Sequence, residues 1–401
     1  MKNKVIIYYI SQILLFTATS LFNPVSYLFY MDNGLNLSVI GVSISILWIV
    51  SGIFEIPFGI FTDKYGTKIT MILSNVLSIC GLGLLIVRTN VPTLLICAAI
   101  FGVSTAANSG CLSSWIVNSL KIELKDSFKQ EIIQKVFSRS NIFCSIVSLL
   151  FSFLMLQIVY KINKNYPIYL SVIAYIICLL FFVFIFNDEY KNFNRKNSNL
   201  TNVVTQYFRI IDKKFLFISL FFTIPFIMDM GPVNQWSIVY RKTNILGFIQ
   251  IIIVGAFVFG NYIVSKTKIK QEKILKLIIL DVVIILLLNF FDKKSIYTGI
   301  IFFILHVIIN TIILGVNISY LHSDIIKDDA NRNTSISTFN FLNSCIVGIL
   351  LIIQGIFSDK IGMTNTWSLF SVIGAVLYII MFNRIFIKKG LDVTREEGMY
   401  E

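Results

Sequence analysis

Three ionisable side chains interrupt long apolar runs of this 401-residue chain, and the chemistry open to them is the binding and release of a proton. Asp229 and Glu55 each lie within an apolar run, and His306 lies near the middle of another. Charged groups in apolar surroundings are costly and mark functional positions. We expect Asp229, then Glu55, to hold a proton or a substrate. His306 can titrate near neutral pH, although a buried structural histidine is the simpler interpretation.

The segment around Asp229 reads FIMDMGPVNQW and contains unusual backbone residues for an apolar run. Pro225, Gly231 and Pro232 predict an irregular helix there. Unwound backbone at membrane depth is tolerated where it lines a cavity. A further carboxylate, Asp281, is expected near the inner end of its run, paired with Lys276.

Motifs for enzyme, cofactor or metal chemistry are absent from the sequence. It has no GxxxxGK[ST], no HExxH, no CxxC among its six cysteines, and only two histidines. The prediction is therefore a protein that is not an enzyme and holds no cofactor or metal.

The elements that must position these residues are membrane-spanning helices. The chain is 56% hydrophobic and 14% charged, with a mean hydropathy of +0.80. A soluble domain is about 25% charged, so ordinary soluble folds are excluded. The apolar runs are continuous and about 20 residues long, as helices that cross a bilayer require, whereas barrel strands alternate. We predict an all-α integral membrane protein with twelve spans, at about 5–30, 38–61, 67–87, 92–116, 137–160, 166–187, 215–239, 245–265, 275–291, 295–318, 335–357 and 363–387.

Charge and linker composition predict the topology. The net charge is +13, and most of the Lys and Arg fall in segments that are inside if the N-terminus is inside. The positive-inside rule then places both termini in the cytoplasm. The longest connection is polar and divides the spans six and six. The predicted organisation is an N-terminal bundle at 1–187, a cytoplasmic linker at 188–214, a C-terminal bundle at 215–390 and a tail at 391–401.

The octapeptide GIFTDKYG at 59–66 joins the second span to the third. With the residues that follow, it fits G-x-x-x-D-[RK]-x-G-x-[RK], with Gly59, Asp63, Lys64, Gly66 and Lys68 at the fixed positions. A glycine at the first position allows a neighbouring helix to approach closely. A carboxylate at the membrane edge can meet the positive N-terminus of a facing helix. The two lysines would anchor the loop at the headgroups. The simpler alternative is a positive-inside turn.

A near copy, GIFSDKIG, occupies 355–362 at the end of the eleventh span. Its matching residues are Gly355, Asp359, Lys360 and Gly362. Span parity places it on the opposite face of the membrane from the first copy. We interpret the two copies as mirrored latches, with Asp63 at the inner gate and Asp359 at the outer gate. A coincidental turn sequence is the alternative.

The 59–68 motif, its position, the span count and the central linker resemble the major facilitator superfamily. Two further segments, NSGCLSSWIVNSL at 108–120 and DANRNTSISTFN at 329–340, are similar to bacterial drug-efflux members. The resemblance implies two six-helix bundles that rock around a central cavity. It also implies that Asp63 faces the start of the eleventh span, near Thr334 and Ser335.

The same resemblance implies which side chains line the cavity. An apolar, aromatic cavity with few polar groups suits amphipathic or aromatic substrates. The expected cavity residues are Gln12, Asn23, Trp48, Trp115, Asn234 and Trp236. The chain departs from drug–proton antiporters in two places, because 101–110 contains no arginine and the fifth span contains neither glycine nor proline. Proton antiport is thus expected from the family only.

The function expected is proton-coupled efflux of small lipophilic or amphipathic compounds across the cytoplasmic membrane by a monomer. Its partners would be a small-molecule substrate, protons and the lipid bilayer, without nucleic acid. One alternative is a transporter of a specific metabolite or peptide on the same fold. Another is a membrane sensor or assembly partner that transports nothing, against which the gating motif and the intramembrane carboxylates argue.

The mirrored-latch hypothesis predicts opposite effects of two matched substitutions. Asp63→Asn should weaken the inner gate and favour inward-open states, and Asp359→Asn should favour outward-open states. The measurement is labelling of cysteines introduced at each end of the spans by a membrane-impermeant maleimide, added from either side. If both variants shift accessibility in the same direction, the two copies are not mirrored latches.

Overall fold

The structure is a computed structural model that describes residues 2–124, 130–188, 211, 213–267, 271–321 and 332–384. All regular structure in these residues is helical, and twelve segments are long and apolar enough to cross a membrane, which confirms the predicted spans. Short 3-10 turns occupy Asn23–Val25 and Arg241–Thr243, and a π turn occupies Met155–Val159. The helices are α1 Lys2–Ser20, α2 Ser26–Asp32, α3 Leu37–Tyr65, α4 Thr67–Val87, α5 Val91–Asn108, α6 Cys111–Leu124, α7 Gln130–Leu154, α8 Tyr160–Ile162, α9 Tyr166–Phe184, α10 Lys213–Val239, α11 Leu246–Lys266, α12 Gln271–Asp292, α13 Ile296–Tyr320, α14 Arg332–Ile361 and α15 Met363–Phe382.

The chain forms two compact units. Unit 1 comprises residues 1–208 with 241–251, and unit 2 comprises 209–240 with 252–401. Most of the expected linker at 188–214, and all of the expected tail at 391–401, lie outside the described residues.

The two units pack their helices in the same order. In unit 1, α1 packs on α7 and α9, and α4 packs on α5 and α9. In unit 2, α10 packs on α14 and α15, and α12 packs on α13 and α15. Counted by spans, each unit therefore pairs its first span with its fifth and sixth, and its third with its fourth and sixth. Such repetition is typical of transporters built from duplicated bundles.

Small residues hold the helices of unit 1 close together. A Cβ at Gly102 on α5 would lie 2.8 Å from the Leu47 carbonyl oxygen on α3. Ser74 on α4 and Ser104 on α5 each donate a side-chain hydrogen bond to the other's carbonyl oxygen, at 2.9 Å. Close backbones and hydroxyl hydrogen bonds replace the hydrophobic effect, which does not drive helices together in lipid.

Both octapeptides end in the same backbone turn. Gly66 has φ 91° and ψ 162°, and Gly362 has φ 90° and ψ 157°. In each case the glycine N–H donates to the carbonyl four residues back, Thr62 or Ser358. The glycine carbonyl accepts from both the N–H and the hydroxyl of a threonine four residues on, at Thr70 and Thr366. The sequence repeat is thus also a structural repeat.

The helices extend further into the octapeptides than the apolar runs indicate. α3 continues to Tyr65 and α14 to Ile361, so Asp63 and Asp359 lie in the last helical turn and not in the loop beyond it. The helices thus run about four residues beyond the approximate span ends at 61 and 357, because each helix ends where glycine adopts positive φ and not where hydropathy falls. A Cβ at Gly59 would meet no atom within 4 Å in the described part of the chain, so the expected close helix approach is not found there.

A carboxylate that follows α9 reaches the N-terminus of α4. The backbone N–H of Lys68 donates to Asp188 Oδ2 at 3.3 Å. A carboxylate beside the first turn of a helix is stabilised by the free N–H groups and the helix dipole. Asp188, just after α9, therefore joins α9 to the start of α4.

The repeated turn makes a prediction about stability. Gly66→Ala and Gly362→Ala should each lower the free energy of unfolding by about 1 to 3 kcal/mol, because this backbone region is essentially restricted to glycine. Gly59→Ala is the matched control. It lies within α3, and a Cβ there meets no atom within 4 Å in the described residues, so alanine should be neutral or stabilising by about 0.5 to 1 kcal/mol. Thermal unfolding of the purified protein in detergent measures all three, and equal effects at the three sites would contradict the assignment.

Candidate functional site

A buried histidine joins two carboxylates in the middle of unit 2. His306 on α13 contacts Asp281 of α12 through Nδ1, with 2.7 Å to Oδ1. Its Nε2 lies 3.2 Å from Asp229 Oδ1 on α10. The side chains of His306 and Asp281 are fully buried, whereas that of Asp229 is 15% exposed. The three residues form a short chain that runs from a partly accessible carboxylate to a fully buried one.

The charges of this cluster do not balance without an added cation. If all three groups are ionised, two carboxylates surround one imidazolium and leave one excess negative charge. Asp229 and Asp281 are the ionisable side chains that act on His306 among the described residues. Because a buried net charge is costly, the cluster is suited to take up one more proton. The chemistry open to this arrangement is therefore reversible proton binding.

The geometry does not suit a resident metal ion. Asp229 and Asp281 lie at opposite nitrogens of the imidazole ring, so the two carboxylates and the ring cannot converge on one ion. Elsewhere in the described residues, no three His, Cys, Asp or Glu side chains gather as metal ligands.

The sequence singled out Asp229 and His306 separately, and the structure brings them together. The expectation for Asp281 was wrong, because it lies near the middle of α12 and pairs with His306 instead of Lys276. Residues five apart on a helix do not share a face, unlike residues three or four apart. Periodicity of α12 could not reveal its partner on another helix.

The backbone around Asp229 is also more regular than expected. α10 is continuous from Lys213 to Val239, with Pro225 and Pro232 inside it. The predicted irregular helix is therefore not observed. A neighbouring helix supports this turn, because Asn310 of α13 donates from Nδ2 to the Pro225 carbonyl oxygen at 3.3 Å. Partners from adjacent helices allow a membrane helix to accommodate proline.

A second polar network follows Asp229 on the next turns of α10. Gln235 Oε1 accepts from the indole N–H of Trp367 on α15 at 2.9 Å, and Ser358 of α14 also bonds to Gln235. All three are nearly fully buried. Gly231 makes room for this network, since a Cβ there would lie 2.5 Å from Trp367 Cδ1 and 2.7 Å from Gln354 Nε2. Sequence reasoning missed Gln235 and Trp367 because polar residues within spans were judged one helix at a time.

The predicted cavity residues differ widely in the exposed fraction of their side chains. Trp48 is 43% exposed, whereas Trp115 is 5% exposed and packs on Phe186 within an apolar cluster of unit 1, at 4.7 Å between ring centroids. Trp115 is thus a packing residue in this structure. The remaining cavity residues range from buried Trp236, through partly exposed Gln12 and Asn234, to exposed Asn23. Glu55, predicted as a proton or substrate site, is partly exposed on α3.

Unit 1 contains a polar cluster that the sequence did not reveal. Asp32, at the end of α2, accepts from Tyr160 Oη at 2.7 Å and pairs with Arg241 at 3.0 Å. The carbonyl of Asn244 accepts from Gln157 Nε2 at 2.9 Å and from Lys161 Nζ at 2.8 Å. These contacts hold the 241–251 segment within unit 1. The π turn at 155–159 carries Gln157, and π turns often occur at functional positions.

Twelve apolar helices in the described residues, packed in two similar bundles, indicate a multi-pass membrane protein. Residues 8–388 match the model of the Major Facilitator Superfamily. The chain belongs to that superfamily, whose members are transporters and not enzymes, and this confirms the predicted fold class.

The relatives found are distant. The chain is 23% identical over 238 residues to the "Uncharacterized MFS-type transporter YxaM" of Bacillus subtilis (strain 168), a match that covers 53% of this chain and only 56% of that relative. The crystal structure of nucleoside transporter NupG has a TM-score of 0.73 at 14% identity, covering 95% of this chain and 99% of that one. The D-xylose-proton symporter has a TM-score of 0.64 at 14% identity, covering 94% and 96%. These structures show the fold alone.

The packing beside Asp229 makes a second stability prediction. Gly231→Ala should lower the free energy of unfolding by about 1 to 3 kcal/mol, because the added methyl overlaps Trp367 and overpacks the core. Gly255→Ala on α11 is the control, since a Cβ there meets nothing within 4 Å in the described residues. Thermal unfolding in detergent compares them, and an unchanged Gly231→Ala would show that Trp367 can move away freely.

Proposed function

We propose that this transporter is coupled to protons, and that His306 and Asp229 hold the coupling proton. The observation that carries the proposal is the Asp281–His306–Asp229 chain buried within unit 2. Ionisable groups are expensive inside a membrane protein and are typical of proton relays in transporters. Asp229 is the exchange end of the chain because its side chain is partly exposed.

Glu55 is the alternative proton site. It lies on α3 in unit 1, partly buried and two residues before Pro57. The structure gives it no histidine partner among the described residues, in contrast to Asp229. We therefore place the coupling proton in unit 2 first, and Glu55 second.

The substrate that we propose first is a small lipophilic or amphipathic compound exported across the cytoplasmic membrane. The support is the scarcity of polar residues and the abundance of aromatic residues, 14% of the chain. Apolar, aromatic sites favour such ligands. In this proposal the protein acts as a monomer with both termini in the cytoplasm, and an inward proton gradient drives export.

A specific polar metabolite is the second candidate. Buried amide side chains, Gln235 and Gln354 of unit 2 among them, give that unit more hydrogen-bonding capacity than a purely apolar carrier needs. The solved structures that share the fold include a nucleoside transporter and a D-xylose-proton symporter. A nucleoside or a sugar therefore belongs in any substrate screen.

Transport in inverted membrane vesicles tests the coupling. A panel of lipophilic dyes, nucleosides and pentoses should contain a compound whose addition dissipates a preformed pH gradient. His306→Gln and Asp229→Asn should abolish that proton movement, because each removes a proton-binding group from the Asp281–His306–Asp229 cluster.

Two measurements separate coupling from folding. The variants should still exchange labelled for unlabelled substrate without a gradient, since exchange needs binding but no net proton movement. Glu55→Gln is the matched variant in the other unit and should leave proton movement intact. Full coupling in both unit 2 variants, or its loss in Glu55→Gln alone, would refute the assignment to unit 2.

A further inference from the structure

Asp281 is the innermost group of the buried Asp281–His306–Asp229 cluster, and among the described residues His306 is the ionisable side chain that hydrogen-bonds to it. Its side chain is fully buried, and its contact with His306 Nδ1 is the shorter of the two, 2.7 Å against 3.2 Å for Asp229 and Nε2. We propose that Asp281 is a positioning residue, which holds the histidine proton on Nδ1 and so leaves Nε2 to exchange the coupling proton with Asp229. This inference rests on the proposed proton coupling.

The hydrogen-bonding capacity of the three groups leads to this assignment. An ionised carboxylate only accepts hydrogen bonds, and a neutral imidazole has one donor and one acceptor nitrogen. With Asp281 ionised, its short contact through Oδ1 with Nδ1 therefore requires the ring proton on Nδ1. Nε2 then has a lone pair, and its contact with Asp229 Oδ1 requires one further proton, carried either by Nε2 or by Asp229.

The number of bound protons also determines the strength of the contact between Asp229 and His306 Nε2. With the extra proton present, Nε2–H donates to the Asp229 carboxylate, or protonated Asp229 donates to Nε2. When that proton leaves, a lone pair faces a carboxylate oxygen and the attraction is lost. Since Asp229 is on α10 and His306 is on α13, proton release weakens a contact between these two helices. Asp281 and α12 remain bonded to the ring throughout.

The surroundings leave His306 as the cation that can offset an ionised Asp281. Asp281 from α12 and Asp229 from α10 are the ionisable side chains acting on His306 in the described residues, and His306 is the cation that acts on Asp281 there. The amide of Asn310, one turn beyond His306 on α13, acts on Asp281 and donates to the Pro225 carbonyl oxygen. Asn310 thus connects the Asp281 end of the chain to the turn of α10 that precedes Asp229.

Nitrogen NMR of the imidazole tests the tautomer directly. The chain has only two histidines, so ¹⁵N-histidine labelling of a His322→Gln protein reports His306 alone. We expect the neutral ring to carry its proton on Nδ1 in this background. Asp281→Leu removes the acceptor at similar size, and the proton should move to Nε2, where Asp229 can accept it. Asp281→Glu, which restores a carboxylate, should restore the Nδ1 proton.

The charge of Asp281 gives a second measurement on the same samples. Asp281→Asn keeps the size but removes a negative charge beside the ring. The ratio of charged to neutral imidazole at fixed pH should fall about tenfold or more, as expected for an opposite charge within about 4 to 6 Å. Thermal unfolding of each variant shows whether the NMR signal comes from folded protein. If Asp281→Leu does not fold, Asp281→Glu supplies the comparison.

The outcomes separate this inference from the proposed function. An unchanged Nδ1 tautomer in folded Asp281→Leu, or an unchanged charge ratio in Asp281→Asn, overturns the positioning role even if His306→Gln loses coupling. Conversely, full proton coupling in His306→Gln overturns the proposed function whatever the NMR shows. A change in the pH profile of transport in Asp281→Asn, with exchange retained, supports both.

Discussion

The requirement that every polar group find a partner inside the protein is the constraint on which this structure depends. The hydrocarbon core offers no water to backbone or side chain, so the described chain is helical throughout its spans. Several buried hydroxyl groups follow the same rule. Thr223 donates to the Ser219 carbonyl one turn back, and Ser171 of α9 donates to the Ala18 carbonyl of α1. Where the polar group is ionisable, the rule produces a candidate site, because His306 can bond to both ionised carboxylates at once only with one proton beyond that of the neutral ring.

Fold class was predictable from the sequence because span length and composition are local properties. Twelve continuous apolar runs and a polar central connection were enough to predict two bundles, and the 59–68 motif was enough to indicate the family. The helix ends were less predictable. Hydropathy falls at Asp63, but the helix persists to Tyr65, because its end is set by the backbone of Gly66. A glycine after a charged pair was the available signal for that boundary.

The candidate site was predictable only in part, because it depends on how helices are rotated toward one another. Asp229 and His306 were identified as costly charges in apolar runs, but nothing local connected them. Asp281 was assigned to Lys276 because both lie on α12, although five residues place them on different faces. Trp115 shows the opposite error, since membership of a cavity-lining span did not prevent it from packing against Phe186. A search for ionisable residues at similar depth on different spans would have found the pair.

The backbone conformation explains some residues of the repeated octapeptide but not its aspartate. Each copy follows the second helix of a group of three spans, the first group and the fourth, and the superfamily contains inverted three-helix repeats within each half. Equivalent positions of inverted repeats lie at opposite membrane faces, in agreement with span parity. The positive φ at positions 66 and 362 explains why glycine occurs there. The hydrogen bonds to the glycine carbonyl oxygens explain why a threonine occurs four residues later, at Thr70 and Thr366. The hydrogen bonds that define the two turns involve neither aspartate. The turn therefore does not account for the aspartate in each copy, and a role outside the turn, such as a gate at each face, is where its explanation should be sought.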